Sequence, residues 1–317
     1  MDRNLALEAV RATEAAALAA ARFIGKGDER LADRGACEAM RKALNSITID
    51  GKIIVGEGEE GETDTLYVGE IVGNGAGPEV DVAVDSLEGP VICATGGSNA
   101  LSCVALAERG GLLRCPNTYM EKIACGPVGR GVVDLDRSPS DNLKALAEAK
   151  QVYVEDLRVA VLDRPRHDRL IGELRKTGAG IKLLSAGDLS AALATTLPDS
   201  EIDILMGVGG AHQGVLAAVA ARAAGGHWQC RFRPRNEEEA EKCLQAGILD
   251  VNHCYELEEM TGDNVMFAAT GVTSGDYLKG VRFFSGGATT NSVVMRSKTR
   301  TVRFIQAIHR FDFKPEY

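Results

Sequence analysis

Two hydrophobic periods run along the chain. From Asn4 to Ile24 the sequence is rich in Ala and Leu, and Leu5, Leu7, Val10, Leu18 and Ile24 give it an apolar side, which predicts a helix. Gly25-Lys26-Gly27 breaks it, and Asp28 is suited to cap a second helix running through Leu44. Short β-branched or alternating runs then predict strands at Ile53–Val55, Leu66–Val72 and Val80–Asp85, with a turn at Asn74–Pro78. An apolar stretch follows from Ala100 to Leu106, and Ser140–Lys150 reads as a helix. Beyond residue 157 the rhythm changes. Strands at Arg158–Leu162, Ile181–Leu184 and Ile202–Met206 each lead through a loop into a helix, the pattern of an α/β layer with parallel strands. Phe232–Ile248 is charged and helical, Asn264–Thr270 is a strand, and Ser292–Met295 with Thr301–Ile305 reads as a closing hairpin around Ser297–Arg300. The expected division is one compact α/β unit with halves 1–156 and 157–317.

The chain has 317 residues, 45% of them hydrophobic, and 26% charged, which describes a soluble globule able to bury a large core. The net charge of -9 argues against nucleic acid as the main partner, and any anionic substrate must be met by local cations or a metal. Eight cysteines are scattered with no CxxC pair, there is no signal-peptide pattern, and no apolar run is long enough to span a membrane, so reduced thiols in a cytoplasm are expected.

The candidate chemistry centres on Val80–Pro90. At roughly 3.3 Å per strand residue, Asp81 lies about 13 Å from Asp85 and cannot share a small ion with it. Asp85 and Glu88 can, if the chain turns between them, and paired carboxylates beside glycine suit magnesium or manganese. The alternative is an ordinary acidic turn after a strand. Gly56-Glu57-Gly58-Glu59-Glu60-Gly61-Glu62 repeats the pattern, with Glu57 directly at a strand end and Glu60 and Glu62 readable as a flexible acidic loop. Asp33 reads as an exposed helix acid until that context is considered. In the second half, Arg164 and Arg166 flank a proline at a strand end, either a phosphate clamp or a solvated basic loop. Gly207–Gly210 before a helix can present N–H groups to an anion.

These blocks in this order resemble class II fructose-1,6-bisphosphatases of the bacterial type nearly end to end. The matching residues are Gly25–Asp28 with Ala32-Asp33, Val55–Glu59, Val84-Asp85 with Glu88-Gly89, Asn99–Leu101 and Tyr119–Lys122. They continue with Arg164–His167, Gly187-Asp188, Gly209–Ala211 and Ser297–Thr301. The resemblance implies the layered sugar-phosphatase fold, in which helix and sheet layers alternate, and a cytoplasmic homo-oligomer. It implies hydrolysis of the 1-phosphate of fructose 1,6-bisphosphate in gluconeogenic or Calvin-type metabolism, with divalent manganese or magnesium. The implied metal ligands are Asp33, Glu57, Asp85, Glu88 and Gln213, and the implied catalytic set is Asp85, Glu88, Glu57 and Glu59. Implied sugar-phosphate contacts are Glu88, Gly89, Pro90, Tyr119, Arg164, Pro165, Arg166, Gly187, Asp188 and Gly210.

The departures from the family pattern fall on the site. Pro90 stands where the family signature has a threonine that helps orient the attacking water, and it offers neither hydroxyl nor N–H. Gln213 stands in place of a glutamate ligand, Ala186 of an aspartate, Glu29 of a lysine and Arg164 of a lysine. Three readings follow: a sugar bisphosphatase with altered specificity or rate, a degenerate paralogue that binds metal or sugar phosphate in a regulatory or assembly role, and a phosphatase of another small ester.

Overall fold

The N-terminal helical pattern folds as α1, Leu5–Ala20, and α2, Glu29–Leu44, in a computed structural model that describes residues 1 and 4–313. Asp28 caps α2, its Oδ1 accepting from the Leu31 N–H at 2.9 Å. The buried side of α1 is a run of alanines, among them Ala9, Ala12, Ala16 and Ala20, whereas Leu7 is exposed. Side chains this small let the helix axis come close to the sheet beneath it. β1 (Asp50–Val55), β2 (Ile71–Val72), β3 (Glu79–Glu88), α3 (Pro90–Thr95) and β4 (Leu101–Glu108) follow. Only the last two residues of the predicted strand Leu66–Val72 are strand. Leu66 at φ 55° and Gly69 at φ 99° fold the chain back, and the Leu66 carbonyl accepts from the Glu57 N–H at 3.0 Å. Gly56 sits under that carbonyl, where a Cβ would come within 2.1 Å of it.

The next elements are β5 (Tyr119–Cys125), α4 (Pro139–Lys150), β6 (Arg158–Leu162), α5 (Asp168–Thr177), β7 (Gly180–Leu184) and α6 (Asp188–Ala194). After them come β8 (Ile204–Gly210), α7 (Ala211–Ala224), β9 (His227–Phe232), α8 (Glu237–Gln245), β10 (Tyr255–Glu256) and α9 (Leu257–Met260). Their six strands form a sheet in the order β10-β9-β5-β8-β6-β7. The expected parallel layer is present, with β6 parallel to both β7 and β8. It is flanked by antiparallel β5, β9 and β10, so the sheet is mixed. Ile123, Cys125, Val159, Val161, Ile204 and Met206 face α4 and α5 through Leu143, Leu146, Ile171 and Leu174. Residues of the other parity on β5, Met120 and Lys122, point to α7, where a Cβ on Gly214 would meet the Met120 Sδ at 2.7 Å. The charged stretch expected to be helical from Phe232 begins as strand, and the helix is confined to α8 behind an Asn236 cap.

The chain then returns to its first sheet through β11 (Val265–Gly271), β12 (Arg282–Phe284), β13 (Gly287–Arg296) and β14 (Thr301–Arg310). That sheet has eight strands in the order β12-β13-β11-β4-β3-β1-β2, with β14 also paired to β13. The hairpin expected around Ser297–Arg300 is present and longer than predicted, closing at Arg296 opposite Thr301. α1 packs on β3, β4, β11 and β13, and α2 packs on α1 and β3. Because the C-terminal strands rejoin the first sheet, the compact units are Met1–Leu113 with Gly262–Tyr317 and, separately, Arg114–Thr261. The boundary expected at residue 156 falls inside the second unit. Helices layered on two mixed sheets make this the layered sugar-phosphatase fold, and no helix among the described residues is long and apolar enough to cross a membrane.

Candidate active site

β3 carries Asp85 and Glu88 without the turn the sequence suggested. Residues three apart on a regular strand face opposite sides. Here the pairing with β4 slips, so that Asp85 lies opposite Cys103 and Glu88 opposite Leu101. One extra residue in β3 thus brings both carboxylates to the same side of the sheet, the re-aiming a β-bulge performs. Both are buried, and after desolvation their charges are what push the Cys103 thiol up. Asp81 is buried apart from them, its Oδ2 accepting from the Leu112 N–H at 3.3 Å.

Asp33 sits on α2, Glu57 at the exit of β1, and Cys37 one helical turn beyond Asp33. Asp33, Cys37 and Glu57 each offer a donor atom, and these atoms lie within 4.8 Å of one another. Ser86 ties the group to β3: its N–H donates to Glu57 Oε1 at 2.6 Å, and its hydroxyl lies 3.0 Å from Cys37 Sγ. Burial, then the neighbouring Asp33 charge, raises the Glu57 pKa, and burial, then Glu29, raises that of Asp33. Glu29 is thus a departure with an electrostatic consequence, since it adds negative charge where the family pattern has a lysine. Burial, then Glu57, holds the Cys37 thiol protonated. Among the described residues no lysine or arginine pairs with Asp33 or Glu57. Two desolvated carboxylates crowded together without a cationic side chain fit a divalent cation. Cys37 was not singled out from the sequence; its only signal was its place four residues after Asp33 on one helix face.

Glu59 does not join this group, and its N–H donates to Glu62 Oε2 at 3.1 Å in the acidic loop. Gly89, at φ 86°, turns the chain after Glu88, and Pro90 takes the first position of α3. A proline is well tolerated there, since the N–H groups of a helix's first turn have no acceptor within the helix.

In the second unit the predicted contacts gather at one edge of the sheet. Arg164–Arg166 leave the end of β6, Gly187-Asp188 follow β7, Gly210 ends β8, and antiparallel pairing sets Tyr119 opposite Gly210. This is the carboxyl edge of the parallel strands, where α/β sheets bind ligands. Arg164 donates to the carbonyls of Asp163 at 2.8 Å and Ser185 at 2.5 Å, and Arg166 donates twice to Val208 O at 3.0 and 2.8 Å. Neutral acceptors position these guanidinium groups, and among the described residues no carboxylate pairs with either. His167 pins the loop in place, its Nδ1 on Leu162 O and its Nε2 accepting from the Val208 N–H, both at 2.7 Å, while burial lowers its pKa.

Gly207–Gly210 leads directly into α7, as expected, with Gly210 at the helix N-cap. It is the end of β8, paired residue by residue with β5. Its glycines make room for side chains: a Cβ on Gly209 would come within 2.1 Å of Asp188 Oδ2, and one on Gly210 within 2.1 Å of Gln213 Oε1. Asp188 is buried and accepts from Lys122 Nζ at 2.7 Å.

Residues 3–309 match the family described as bacterial fructose-1,6-bisphosphatase, glpX-encoded. The chain belongs to this family. Among curated bacterial fructose-1,6-bisphosphatases, it is 42% identical to the D-fructose 1,6-bisphosphatase class 2/sedoheptulose 1,7-bisphosphatase of Thermosynechococcus vestitus. The match covers 98% of this chain and 97% of that protein. Proteins of the same name from Synechococcus sp. strains JA-3-3Ab and JA-2-3B'a(2-13) are 43% and 42% identical over the same shares. Membership makes the chain a phosphoric monoester hydrolase by family, of a kind that uses a divalent metal and a sugar phosphate.

Proposed function

We propose that this protein hydrolyses the 1-phosphate of fructose 1,6-bisphosphate, in gluconeogenic or Calvin-type sugar metabolism, with manganese or magnesium as its metal. The observation that carries this reading is the crowding of Asp33 and Glu57, two desolvated carboxylates with raised pKa values, beside the bulged strand that brings Asp85 and Glu88 to one side. Asp33, Glu57, Asp85 and Glu88 would hold the metal, with Cys37 at its flank. A divalent cation bound there polarises phosphoryl oxygens and lowers the pKa of bound water. The remaining work belongs to the chain itself. Arg164 and Arg166, held by carbonyls, bind phosphate through charge-assisted bonds and let an acidic protein accept an anion. Ser86 fixes the Glu57 carboxylate. Asp188, anchored by Lys122, would contact the sugar.

The names of its relatives support sedoheptulose 1,7-bisphosphate as a second substrate. Eight thiols without a disulfide accord with a reducing cytoplasm, and family membership supports a homo-oligomer. A second reading, an impaired member that binds metal or sugar phosphate in a regulatory or assembly role, draws its support from Pro90 and Gln213. Phosphate release from fructose 1,6-bisphosphate with manganese decides between them: turnover supports the hydrolase, and binding without release supports the impaired member.

A further inference from the structure

Arg233-Pro234-Arg235 repeats the tripeptide Arg164-Pro165-Arg166. The two copies leave different strands, β9 and β6, at the same edge of the same sheet, because β5 runs antiparallel to both β8 and β9. Their second arginines converge: the Cζ atoms of Arg166 and Arg235 each lie 4.7 Å from the centre of the Tyr119 ring. A ring face attracts a guanidinium group, so Tyr119 gathers both arginines at one point of the sheet edge, where two guanidinium groups together suit an anion.

Arg235 is also held firmly. Its Nε donates to Glu239 Oε1 at 2.5 Å and its backbone N–H to Glu239 Oε2 at 2.8 Å, while the neighbouring Thr118 hydroxyl donates to the same Oε2 at 2.8 Å. Glu239 is buried, whereas the Arg235 side chain is half exposed. The arrangement fixes one side of the fork on Glu239, and the Tyr119 side chain also hydrogen-bonds the Arg235 guanidinium. Arg166 differs in its anchor, a neutral carbonyl, and among the described residues no carboxylate pairs with it.

We infer that Arg235 is a further substrate-binding residue, pairing with Arg166 about Tyr119 to take the phosphate of the sugar that is not hydrolysed. The inference rests on the bisphosphatase reading above. It assigns the repeated tripeptide a shared purpose, in which each second arginine supplies charge-assisted donors to one phosphate. It also gives Tyr119 a defined part, as the plate that sets the spacing of the two guanidinium groups.

The test is calorimetric binding of fructose 6-phosphate, which retains only the unhydrolysed phosphate, to the wild type and to Arg235→Ala, Arg235→Lys and Arg166→Ala. Loss of a hydrogen bond to a charged group predicts that Arg235→Ala weakens binding by roughly 10–100-fold. Arg235→Lys, which keeps a charge beside Glu239 but not the planar fork, should fall between Arg235→Ala and the wild type. In steady-state assays the loss should appear in KM with kcat unchanged, the mark of binding shared by ground and transition states. If Arg235→Ala does not fold because Glu239 is stranded, Arg235→Lys alone decides, by binding more weakly than wild type or equally well. Unchanged affinity in the Arg235 variants with a loss in Arg166→Ala overturns the inference and leaves the bisphosphatase reading standing. Unchanged affinity in all three variants overturns both.

Discussion

Lys122 Nζ lies 2.7 Å from Asp188 Oδ2, with the lysine side chain 3% and the aspartate side chain 10% exposed. The pair joins β5 to the start of α6, and Gly209 clears the space it occupies. Removing one partner of a buried ion pair strands the other charge, at roughly 3–5 kcal/mol, whereas replacing both by apolar groups can be neutral. Lys122→Met should therefore lower the unfolding free energy of the folded protein by about that amount, and Lys122→Met with Asp188→Leu should recover most of it. Urea denaturation of the single and double variants measures this. A single variant as stable as wild type would show that the pair is open to solvent.

Metal binding should raise the melting temperature, because a ligand selective for the native state stabilises it by mass action. At millimolar manganese the wild type should melt higher than in chelator, by an amount that grows with metal concentration. Asp85→Asn and Glu57→Gln should each remove most of the shift, while Asp81→Asn, on a carboxylate that serves Leu112 instead, should keep it. A shift that survives Glu57→Gln would move the metal away from Asp33 and Glu57.

Glu239 predicts a pH dependence. The Arg235 guanidinium, with Thr118 and the Arg235 N–H, holds its carboxyl down at about 2, below its ordinary value of 4.5. A carboxyl with a depressed folded pKa stabilises the protein fully above the unfolded value, and that contribution is lost as pH falls through the folded one. The difference in unfolding free energy between wild type and Glu239→Gln should thus be constant above about pH 4.5 and shrink toward pH 2. At neutral pH, Glu239→Ala should cost about 1–3 kcal/mol, the penalty for leaving buried donors unpaired. Chemical denaturation across that pH range would show a flat difference if the ion pair contributes nothing.

Much of this was legible in the sequence, for identifiable reasons. Helix caps, the alternation of β3 and the three strand–loop–helix units are local signals, and each appears where expected. Glu57, Arg164 and Arg166 stood out at element ends and Asp85 with Glu88 as paired carboxylates, whereas Asp33, inside α2, read as an exposed helix acid until the family pattern was considered. The bulge was not legible, because parity alone sends Asp85 and Glu88 to opposite faces and only pairing with β4 reverses that. Leu66–Glu70 read as strand because its apolar content matched one, and no residue type announced the positive φ of Leu66. Gly207–Gly210 was legible as the lead into a helix, but its second use, admitting the Asp188 and Gln213 side chains, was not, because only tertiary contact shows it. Arg235 was visible in principle, as the second copy of a tripeptide already singled out.

The last prediction concerns Pro90 and Gln213. A positioned proton-transfer group contributes about 10²–10⁴-fold, so a protein lacking the threonine hydroxyl should hydrolyse fructose 1,6-bisphosphate slowly. Ser86 is a poor substitute, since its side chain is fully buried, its hydroxyl meets Cys37 and its N–H is spent on Glu57. Pro90→Thr should raise the rate, and the fold should accept it: position 90 opens α3, where a threonine can adopt the helical φ that proline fixes, and Gly89 already makes the preceding turn. Gln213→Glu, which restores the glutamate of the family pattern, should raise the rate as well, with the gain in the double variant not equal to the sum of the two, because both changes act on one reaction. Phosphate release at saturating substrate and manganese measures all four proteins. A wild-type kcat within the ordinary range of about 1–10³ s⁻¹, unimproved by Pro90→Thr, would mean that the attacking water is oriented without any hydroxyl at this position.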